Sequence, residues 1–270
     1  MSTGIGIFGG LALLFAAIAM GGSFKSFLDP EAAMIVIGGT LAASLISFPM
    51  SRVLGILKLF LRLFREDRQS LLETTMPRLV AFGHKASEES IFSLEKESKT
   101  EQDRYVRLGL QLLIQGVPAQ QIARHFSVEM EGVRSRHQEG IQMFTFMSRA
   151  APSFGLLGTV IGLINTLRAI GGTVSPEALG PSMALALVTT LYGCFFAFFL
   201  FLPASEKLKA YSSQEITLIR MIRDAVLMMK SGQSGRQIED MLNAYLPPSR
   251  RQSVVEQLLM AKTRPAAGRR

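Results

Sequence analysis

Three threonines lie inside two long apolar stretches, where their hydroxyl groups are candidates for ion chemistry. Thr159 belongs to APSFGLLGTVIGL, and Thr189 and Thr190 belong to MALALVTTLYGCFFAFFLFLP. Hydroxyls are hard oxygen ligands that suit a small cation such as sodium. They also commonly bond to carbonyls of their own or a neighbouring helix, so an ion-lining role and a structural role both remain open.

Two prolines, Pro152 and Pro203, stand near the ends of these apolar stretches. A proline inside a helix removes one backbone hydrogen bond and frees a carbonyl one turn earlier. The two alternatives are therefore a helix terminus and a hinge beside an ion path.

The apolar stretches contain no ionisable residue in their middle, although such a residue usually marks function in a membrane. If the protein conducts ions, the titrating or coordinating acid must come from another chain.

Composition and charge indicate an all-α, polytopic membrane protein. The 270 residues are 48% hydrophobic, with a net charge of +8 and a mean hydropathy of +0.29. Four apolar runs approach the roughly 20 residues that span a bilayer as a helix. Lys and Arg cluster after the second run and follow the fourth, which predicts cytoplasmic N- and C-termini. The first run lacks a preceding basic region, which predicts a retained helix rather than a cleaved signal peptide.

The elements that must position the threonines follow from these runs. The predicted order is transmembrane helix 1 at 1–22, a periplasmic loop at 23–31, transmembrane helix 2 at 32–50, a cytoplasmic helical domain at 51–149, transmembrane helix 3 at 150–170, a periplasmic loop at 171–178, transmembrane helix 4 at 179–203 and a cytoplasmic helical tail at 204–270. The segment VLGILKLFLRLFR, at the start of the cytoplasmic domain, is predicted to lie at the membrane interface as an amphipathic helix.

Two local signals predict where helices begin and end. Asp29, followed by Pro30, is predicted to cap the start of the second span. Gly116-Val117-Pro118 predicts a break between two helices of the cytoplasmic domain, and the tail is predicted to end in a last helix after Pro247-Pro248.

Several classes of function are disfavoured by what the sequence lacks. Cys194 is alone and the three histidines are scattered, so neither a disulfide nor a resident metal is expected. No nucleophile–base pair or phosphate loop argues for an enzyme, and no cofactor is expected. The basic charge is not interleaved with aromatic residues in a nucleic-acid motif, so no nucleic-acid partner is expected.

Several motifs together resemble the MotA/PomA family, the larger subunit of the bacterial flagellar stator. APSFGLLGTVIGL, LGPSMALALVTTLYG and FLFLPASEKL are similar to the third and fourth helices of that family, and FLDPEAAMIVIGGT and IFSLEKE add independent matches. The resemblance covers essentially the whole chain and is weakest in the tail.

The resemblance implies an inner-membrane ring of five copies around two copies of a MotB/PomB-type partner. That partner has one membrane helix with an essential aspartate and a peptidoglycan-binding domain. Ion passage past the aspartate would drive rotation of the ring, whose cytoplasmic charges push the rotor protein FliG. The partner would thus supply the acid that the apolar runs of this chain lack.

The resemblance also assigns roles to particular residues. Pro152 and Pro203 look like the two functional prolines of the family. Thr159 and Thr190 look like the threonines of its sodium-driven members, which favours transported sodium over protons. Asp29 matches the acidic residue of the first periplasmic loop.

One departure concerns the rotor-facing charges. Glu95 matches the glutamate of the rotor-facing motif, but Ser87 stands eight positions earlier, where the family usually has an arginine. Lys85 or His84 would have to substitute for it at a shifted helical angle, and Lys85 is the predicted rotor-facing charge beside Glu95.

Two other functions remain as alternatives. An ExbB/TolQ-like energiser of an outer-membrane system shares the paired ion-path helices, but usually has three spans in a different order. A non-conducting membrane scaffold would use its threonines only as structural groups, and replacing them would leave ion dependence intact.

Overall fold

Every regular element that the computed structural model describes, over residues 2–21, 27–55, 70–172, 175, 177 and 179–246, is helical. The all-α prediction is therefore confirmed for these residues. The main helices are α1 (Ser2–Gly21), α2 (Pro30–Ser47), α3 (Ser70–Glu88), α4 (Glu95–Thr100), α5 (Arg104–Ile114), α6 (Ala119–Ile170), α7 (Leu179–Lys230) and α8 (Gly235–Asn243). Residues 50–55 are also helical, and a short 3₁₀ turn, Ile91–Leu94, precedes α4.

The chain divides into two compact units. The first comprises residues 1–66 and 137–210, and the second comprises residues 67–136 and 211–270. The first unit therefore contains α1, α2, the second part of α6 and the first part of α7. The second unit contains α3 to α5, α8 and the remaining parts of α6 and α7.

Three of the described helices are long and apolar enough to cross a membrane, namely α2, α6 and α7. The helix α1 is an uncharged run of 20 residues. The predicted interfacial helix falls largely on residues 56–69, and the last predicted helix of the tail lies beyond residue 246. Both lie outside the described residues.

The start of α2 is fixed by a side-chain cap. The carboxylate of Asp29 accepts hydrogen bonds from the backbone N–H groups of Glu31 at 2.8 Å and Ala32 at 3.0 Å. Pro30 occupies the first helical position, where its missing N–H costs nothing. The predicted Asp29 cap is confirmed.

Apolar side chains of five helices form the core of the second unit. Leu79 of α3, Leu110 of α5, Phe126 of α6, Ile222 of α7 and Ile238 of α8 are fully buried in it. Burying one such side chain stabilises the fold by about 1.5–3 kcal/mol. This core holds the α3–α4 region, which carries Lys85 and Glu95, on a fixed support.

The turn between α5 and α6 depends on glycine. Gly116 has φ +74°, in the left-handed region that favours glycine. The N–H groups of Gly116 and Val117 donate to the carbonyls of Leu113 and Leu112, so the last turn of α5 ends in a satisfied cap. The helix break predicted at Gly116-Val117-Pro118 is confirmed.

The two long helices differ from the sequence expectation at both prolines. α6 runs without interruption through Pro152, and α7 runs through Pro203 after a π-helical turn at Phe196–Phe201. The helix-terminus interpretation of these prolines is wrong. Packing against a neighbouring helix can retain a helical path even where proline removes one hydrogen bond, and propensity alone does not reveal this.

Candidate functional site

Helices α6 and α7 approach each other so closely that glycine is required between them. A Cβ added at Gly162 would lie 2.6 Å from the carbonyl oxygen of Ser182, and one added at Gly155 would lie 2.9 Å from that of Thr189. Backbone atoms cannot move away as a flexible side chain can. The spacing in GLLGTVIG was the available sequence signal, because small residues let membrane helices pack closely, but the sequence reasoning did not use it.

This close packing brings two of the predicted threonines together. The hydroxyl oxygens of Thr159 in α6 and Thr190 in α7 lie 2.5 Å apart. Both also lie within reach of the carbonyl oxygen of Ala186, at 3.0 Å and 3.2 Å, and Thr159 lies 3.1 Å from the carbonyl of Gly155. The result is a cluster of oxygen atoms from both helices.

The threonine pair has fewer protons than acceptors. The pair has two hydroxyl protons. One lies between the two threonine oxygens, and the other can be donated to the carbonyl of either Ala186 or Gly155. Thr190 is exposed and Thr159 is half-buried, so their oxygens can reach a ligand outside the chain. Chemically, such a pair can coordinate a small cation or accept a hydrogen bond from a protonated acid.

Thr189 lies in a different environment from this pair. It is fully buried, and its hydroxyl donates to the carbonyl of Leu185 in its own helix at 2.8 Å. Its side chain packs where Gly158 of α6 leaves room, since a Cβ at Gly158 would collide with it. The structure thus places Thr189 in the helix–helix contact, away from the surface that Thr159 and Thr190 share.

Pro152 lies at this contact, and Pro203 lies further along α7. A Cβ added at Gly193 of α7 would be 3.0 Å from the Cα atom of Pro152, so α6 and α7 touch at the point where α6 lacks a backbone hydrogen bond. Pro203 lies two positions after the π turn, which ends with the N–H of Leu202 donating to the carbonyl of Ala197. Both helices therefore depart from the regular α-helical hydrogen-bond pattern near the ends of the apolar runs that are predicted to face the cytoplasm.

The apolar part of the pair contains no acid or base. No Asp, Glu, Lys or Arg occurs from Ala151 to Leu167 or from Leu179 to Ser205. Among the described residues, no group of three or more His, Cys, Asp or Glu side chains could hold a metal ion. The available ligands at the threonine pair are thus hydroxyl and carbonyl oxygens.

The predicted rotor-facing charges form two separate ion pairs. Lys85 of α3 binds Glu97 of α4 with 2.6 Å between Nζ and Oε1, and Glu95 binds Lys99 at 2.7 Å. The hydrogen bond from Lys85 lowers the pKa of Glu97, and the hydrogen bond to Glu97 raises the pKa of Lys85. The hydrogen bond from Lys99 likewise lowers the pKa of Glu95. Lys85 and Glu95 therefore belong to separate ion pairs.

Ser87 and His84 lie beside each other near the end of α3, which ends at Glu88. Ser87 is exposed, and its hydroxyl donates to the carbonyl of His84 at 2.9 Å. The ring of His84 packs over Gly235 at the start of α8, where an added Cβ would collide with it. Lys85, the other proposed substitute, pairs with Glu97 of the α4 segment that also contains Glu95.

Asp29 is tied to α7 by a tyrosine that the sequence reasoning missed. The hydroxyl of Tyr192 donates to the carbonyl of Phe27 at 2.6 Å and accepts from the backbone N–H of Asp29 at 3.2 Å. Asp29 is thus linked to α7 through Tyr192, which is two positions from Thr190 along that helix. A tyrosine inside an apolar run, with a hydroxyl that needs a partner, was the available signal.

Comparisons with known proteins identify the family. A family model described as the MotA/TolQ/ExbB proton channel family matches residues 97–221. Motility protein A of Bacillus subtilis (strain 168) is 34% identical over 253 residues, which cover 92% of this chain and 93% of that protein. The chain belongs to the MotA/PomA family. The chemotaxis protein PomA of Vibrio alginolyticus is 30% identical over 253 residues, covering 93% of this chain and 97% of PomA.

The fold agrees with MotA/PomA membership. A solved structure of the flagellar MotAB stator complex from Bacillus subtilis is similar with a TM-score of 0.82 and 32% identity, covering 92% of this chain and 97% of the matched chain. The resemblance predicted from the motifs is confirmed, and the chain is a flagellar stator subunit of the MotA/PomA type. The region that matches the family model contains the threonine pair and both prolines, but not Asp29, Lys85 or Glu95.

Proposed function

We propose that this chain couples the flow of a cation across the bacterial inner membrane to torque on the flagellar rotor. The observation that carries the proposal is the Thr159–Thr190 oxygen pair between the apolar parts of α6 and α7, which contain no acid. One elementary charge that crosses the membrane supplies about 2.3 kcal/mol per 100 mV. An ion held beside the α6–α7 pair would couple this energy to a change in the two helices at Pro152 and the π turn.

The missing acid requires a partner. A MotB/PomB-type subunit would supply a membrane helix with an aspartate opposite the threonine pair, and its peptidoglycan-binding domain would hold the complex in place. Five copies of this chain around two copies of the partner fit the family resemblance. The Glu95 and Lys85 region would contact FliG.

The proposed membrane arrangement has four spanning helices and cytoplasmic N- and C-termini. Support comes from the three apolar helices α2, α6 and α7, the uncharged helix α1 and the concentration of Lys and Arg in the segments assigned to the cytoplasm. Asp29 would then lie on the periplasmic side, at the start of α2.

Sodium is the proposed coupling ion rather than the proton. Both threonines present hydroxyl oxygens, and the carbonyl of Ala186 adds a third oxygen within 3.2 Å of each. Oxygen atoms at such positions are suited to a dehydrated hard cation. Neither sodium nor a proton would be a resident cofactor, since each would be cargo.

The test is motility of a stator-less strain that carries this chain together with its own partner subunit. We expect swimming to be restored and its speed to rise with sodium at a fixed proton-motive force. A strain with the partner alone is the control. Restored swimming that does not change when sodium is removed would overturn the sodium assignment. No swimming with any MotB/PomB-type partner, despite normal amounts of complex in the membrane, would overturn the stator proposal itself.

A further inference from the structure

A second hydroxyl pair joins α6 and α7 on the other side of Pro152. The Thr145 and Ser205 side-chain oxygens lie 2.8 Å apart, and Ser205 is fully buried. The Ser205 hydroxyl also lies 3.4 Å from the carbonyl of Ile141. We call the Thr145–Ser205 hydroxyl pair the lower clasp and the Thr159–Thr190 hydroxyl pair the upper clasp. Both join α6 to α7 through side-chain oxygens.

The two clasps lie on one face of α6. From Thr159 the chain passes through Gly155, Pro152 and Ser148 to Thr145 in alternating steps of four and three residues, which keeps all five on the side that faces a neighbouring helix. Pro152 is midway, seven positions from each threonine. The position where α6 lacks a backbone hydrogen bond thus lies between the two interhelical hydrogen bonds.

The π turn of α7 sets the register of the lower clasp. Thr145 and Thr159 are fourteen positions apart on α6, whereas Thr190 and Ser205 are fifteen positions apart on α7. A π turn at Phe196–Phe201 accommodates one additional residue. Without it, a regular helix would direct the position of Ala204 rather than Ser205 toward Thr145, because each residue turns a helix by about 100°.

A bend in α6 alone would break the lower clasp. Thr145 lies about 10 Å along the helix from Pro152, so a bend of about 10° at Pro152 would displace it by about 2 Å. That displacement exceeds what a 2.8 Å hydrogen bond can tolerate. The bond survives only if α7 bends too, and α7 has its own altered ladder at the π turn and Pro203, inside the same interval.

We propose that Thr145 and Ser205 are positioning residues that force α6 and α7 to bend together. A conformational change at the upper clasp is then transmitted through Pro152 and the π turn to residues 119–144 of α6 and 206–230 of α7, which lie beyond the lower clasp. The proposal rests on the proposed function only in treating the upper clasp as the site where the ion acts. Neither residue of the lower clasp needs to contact the ion.

The variants separate the interhelical bond from the loss of a hydroxyl as such. Thr145→Val and Ser205→Ala remove the bond, and Thr145→Ser retains it. Ala204→Ser combined with Ser205→Ala keeps the composition but turns the hydroxyl by about 100° around α7. The matched control is Ser148→Ala, which lies one turn from Thr145 and whose hydroxyl donates within α6 to the carbonyl of Thr145 at 2.9 Å.

The first measurement is stall torque per stator unit in the stator-less strain, together with the sodium concentration that gives half-maximal speed. We expect the bond-removing variants and the moved hydroxyl to lower stall torque without changing the sodium concentration at half-maximal speed. Thr145→Ser and Ser148→Ala should retain wild-type torque. The double variant Thr145→Val/Ser205→Ala should be no weaker than either single variant, because both remove the same bond.

The second measurement does not depend on motility. In the purified complex with the partner, hydrogen–deuterium exchange of the backbone at 196–205 should rise roughly threefold in Ser205→Ala, the size expected for one interhelical hydrogen bond in a membrane. Ser148→Ala should leave it unchanged. Equal exchange in these two variants, additive torque losses, or torque losses that follow the amount of complex in the membrane would overturn the coupling proposal. Failure of the wild-type chain to restore swimming would instead count against the proposed function, and the exchange result would still decide on the clasp.

Discussion

The hydroxyl oxygens of Thr159 and Thr190 lie 2.5 Å apart, although 31 residues separate them along the chain. The contact exists because glycines let α6 and α7 approach until side-chain oxygens of both helices share the carbonyl of Ala186. Thr189, the immediate neighbour of Thr190, bonds within its own helix instead. Of these two adjacent threonines in one apolar run, Thr190 can therefore offer its hydroxyl to a ligand outside the chain, whereas Thr189 is buried between the helices.

Removing either hydroxyl of the Thr159–Thr190 pair should change ion dependence more than stability. Thr159→Val and Thr190→Val are expected to raise the sodium concentration needed for half-maximal swimming speed, because each removes one ligand oxygen at nearly constant shape. Thr189→Val is the control and should leave this concentration unchanged. The same shift in all three variants would contradict the assignment of the ion path to the Thr159–Thr190 pair.

Replacing the prolines should restore backbone hydrogen bonds and stiffen the helices. Pro152→Ala and Pro203→Ala are expected to abolish most motility while the thermal midpoint of the purified complex stays equal or rises, since proline inside a helix costs about 3 kcal/mol relative to alanine. Pro77→Ala, inside α3, is the matched control and should retain motility. A fall in the thermal midpoint that accompanies the loss of motility would favour a structural role over a hinge.

The contact between α6 and α7 should not tolerate a methyl group at Gly162. An added Cβ there meets the carbonyl oxygen of Ser182 at 2.6 Å, and overpacking of this kind costs about 1–3 kcal/mol. Gly162→Ala should therefore lower the thermal midpoint of the complex, despite the higher helix propensity of alanine. Gly180→Ala, where the added Cβ has no neighbour within 4 Å, should leave it equal or higher. Equal effects in both variants would contradict the close approach.

The Lys85–Glu97 ion pair should make stability depend on pH only at the extremes. The pKa of Glu97 is lowered from 4.5, so its contribution is complete above that value and is lost as pH falls through the lower folded pKa. The pKa of Lys85 is raised from 10.5, so its contribution is complete below that value and is lost as pH rises through the higher folded pKa.

Thermal unfolding of the complex at a series of acidic pH values can check the predicted loss of stability as Glu97 becomes protonated. Lys85→Met should flatten the loss of stability below pH 4.5, because Glu97 then loses the hydrogen bond that contributes most to favouring its charged form, although Lys96 and a backbone hydrogen bond still favour it. Adding Glu97→Gln to Lys85→Met should therefore change this slope less than Lys85→Met itself does. An unchanged slope in Lys85→Met would show that the pair does not form in solution.

The hydroxyl of Tyr192 should stabilise the start of α2. Tyr192→Phe keeps the ring but removes the bonds to Phe27 and Asp29, with an expected cost of about 0.5–1.5 kcal/mol for each. The thermal midpoint of the complex should fall accordingly. Asp29→Asn is the comparison, because asparagine also caps a helix and should preserve stability. A wild-type midpoint in Tyr192→Phe would contradict the anchoring role.

Much of the site could be predicted from local signals in the sequence. The Asp29-Pro30 helix start and the Gly116 break depend on residues close together in the chain, and the structure agrees with both. The apolar runs are equally local, and three of the described helices are long and apolar enough to cross a membrane. Pro152 could not be assigned in the same way. Whether a proline ends a helix or lies inside it depends on packing against another helix, and this packing is a long-range property.

The sequence by itself determined the helical class, the family and the absence of charge inside the paired apolar helices, because composition, periodicity and motifs are properties of neighbouring residues. Only the tertiary structure decided that Thr159 meets Thr190, that Thr189 is buried, and that Lys85 pairs with Glu97 rather than Glu95. These outcomes depend on helix rotation and register. A single additional residue in the π turn of α7 rotates every later side chain by about 100°, and no local pattern in FAFFLF records that shift.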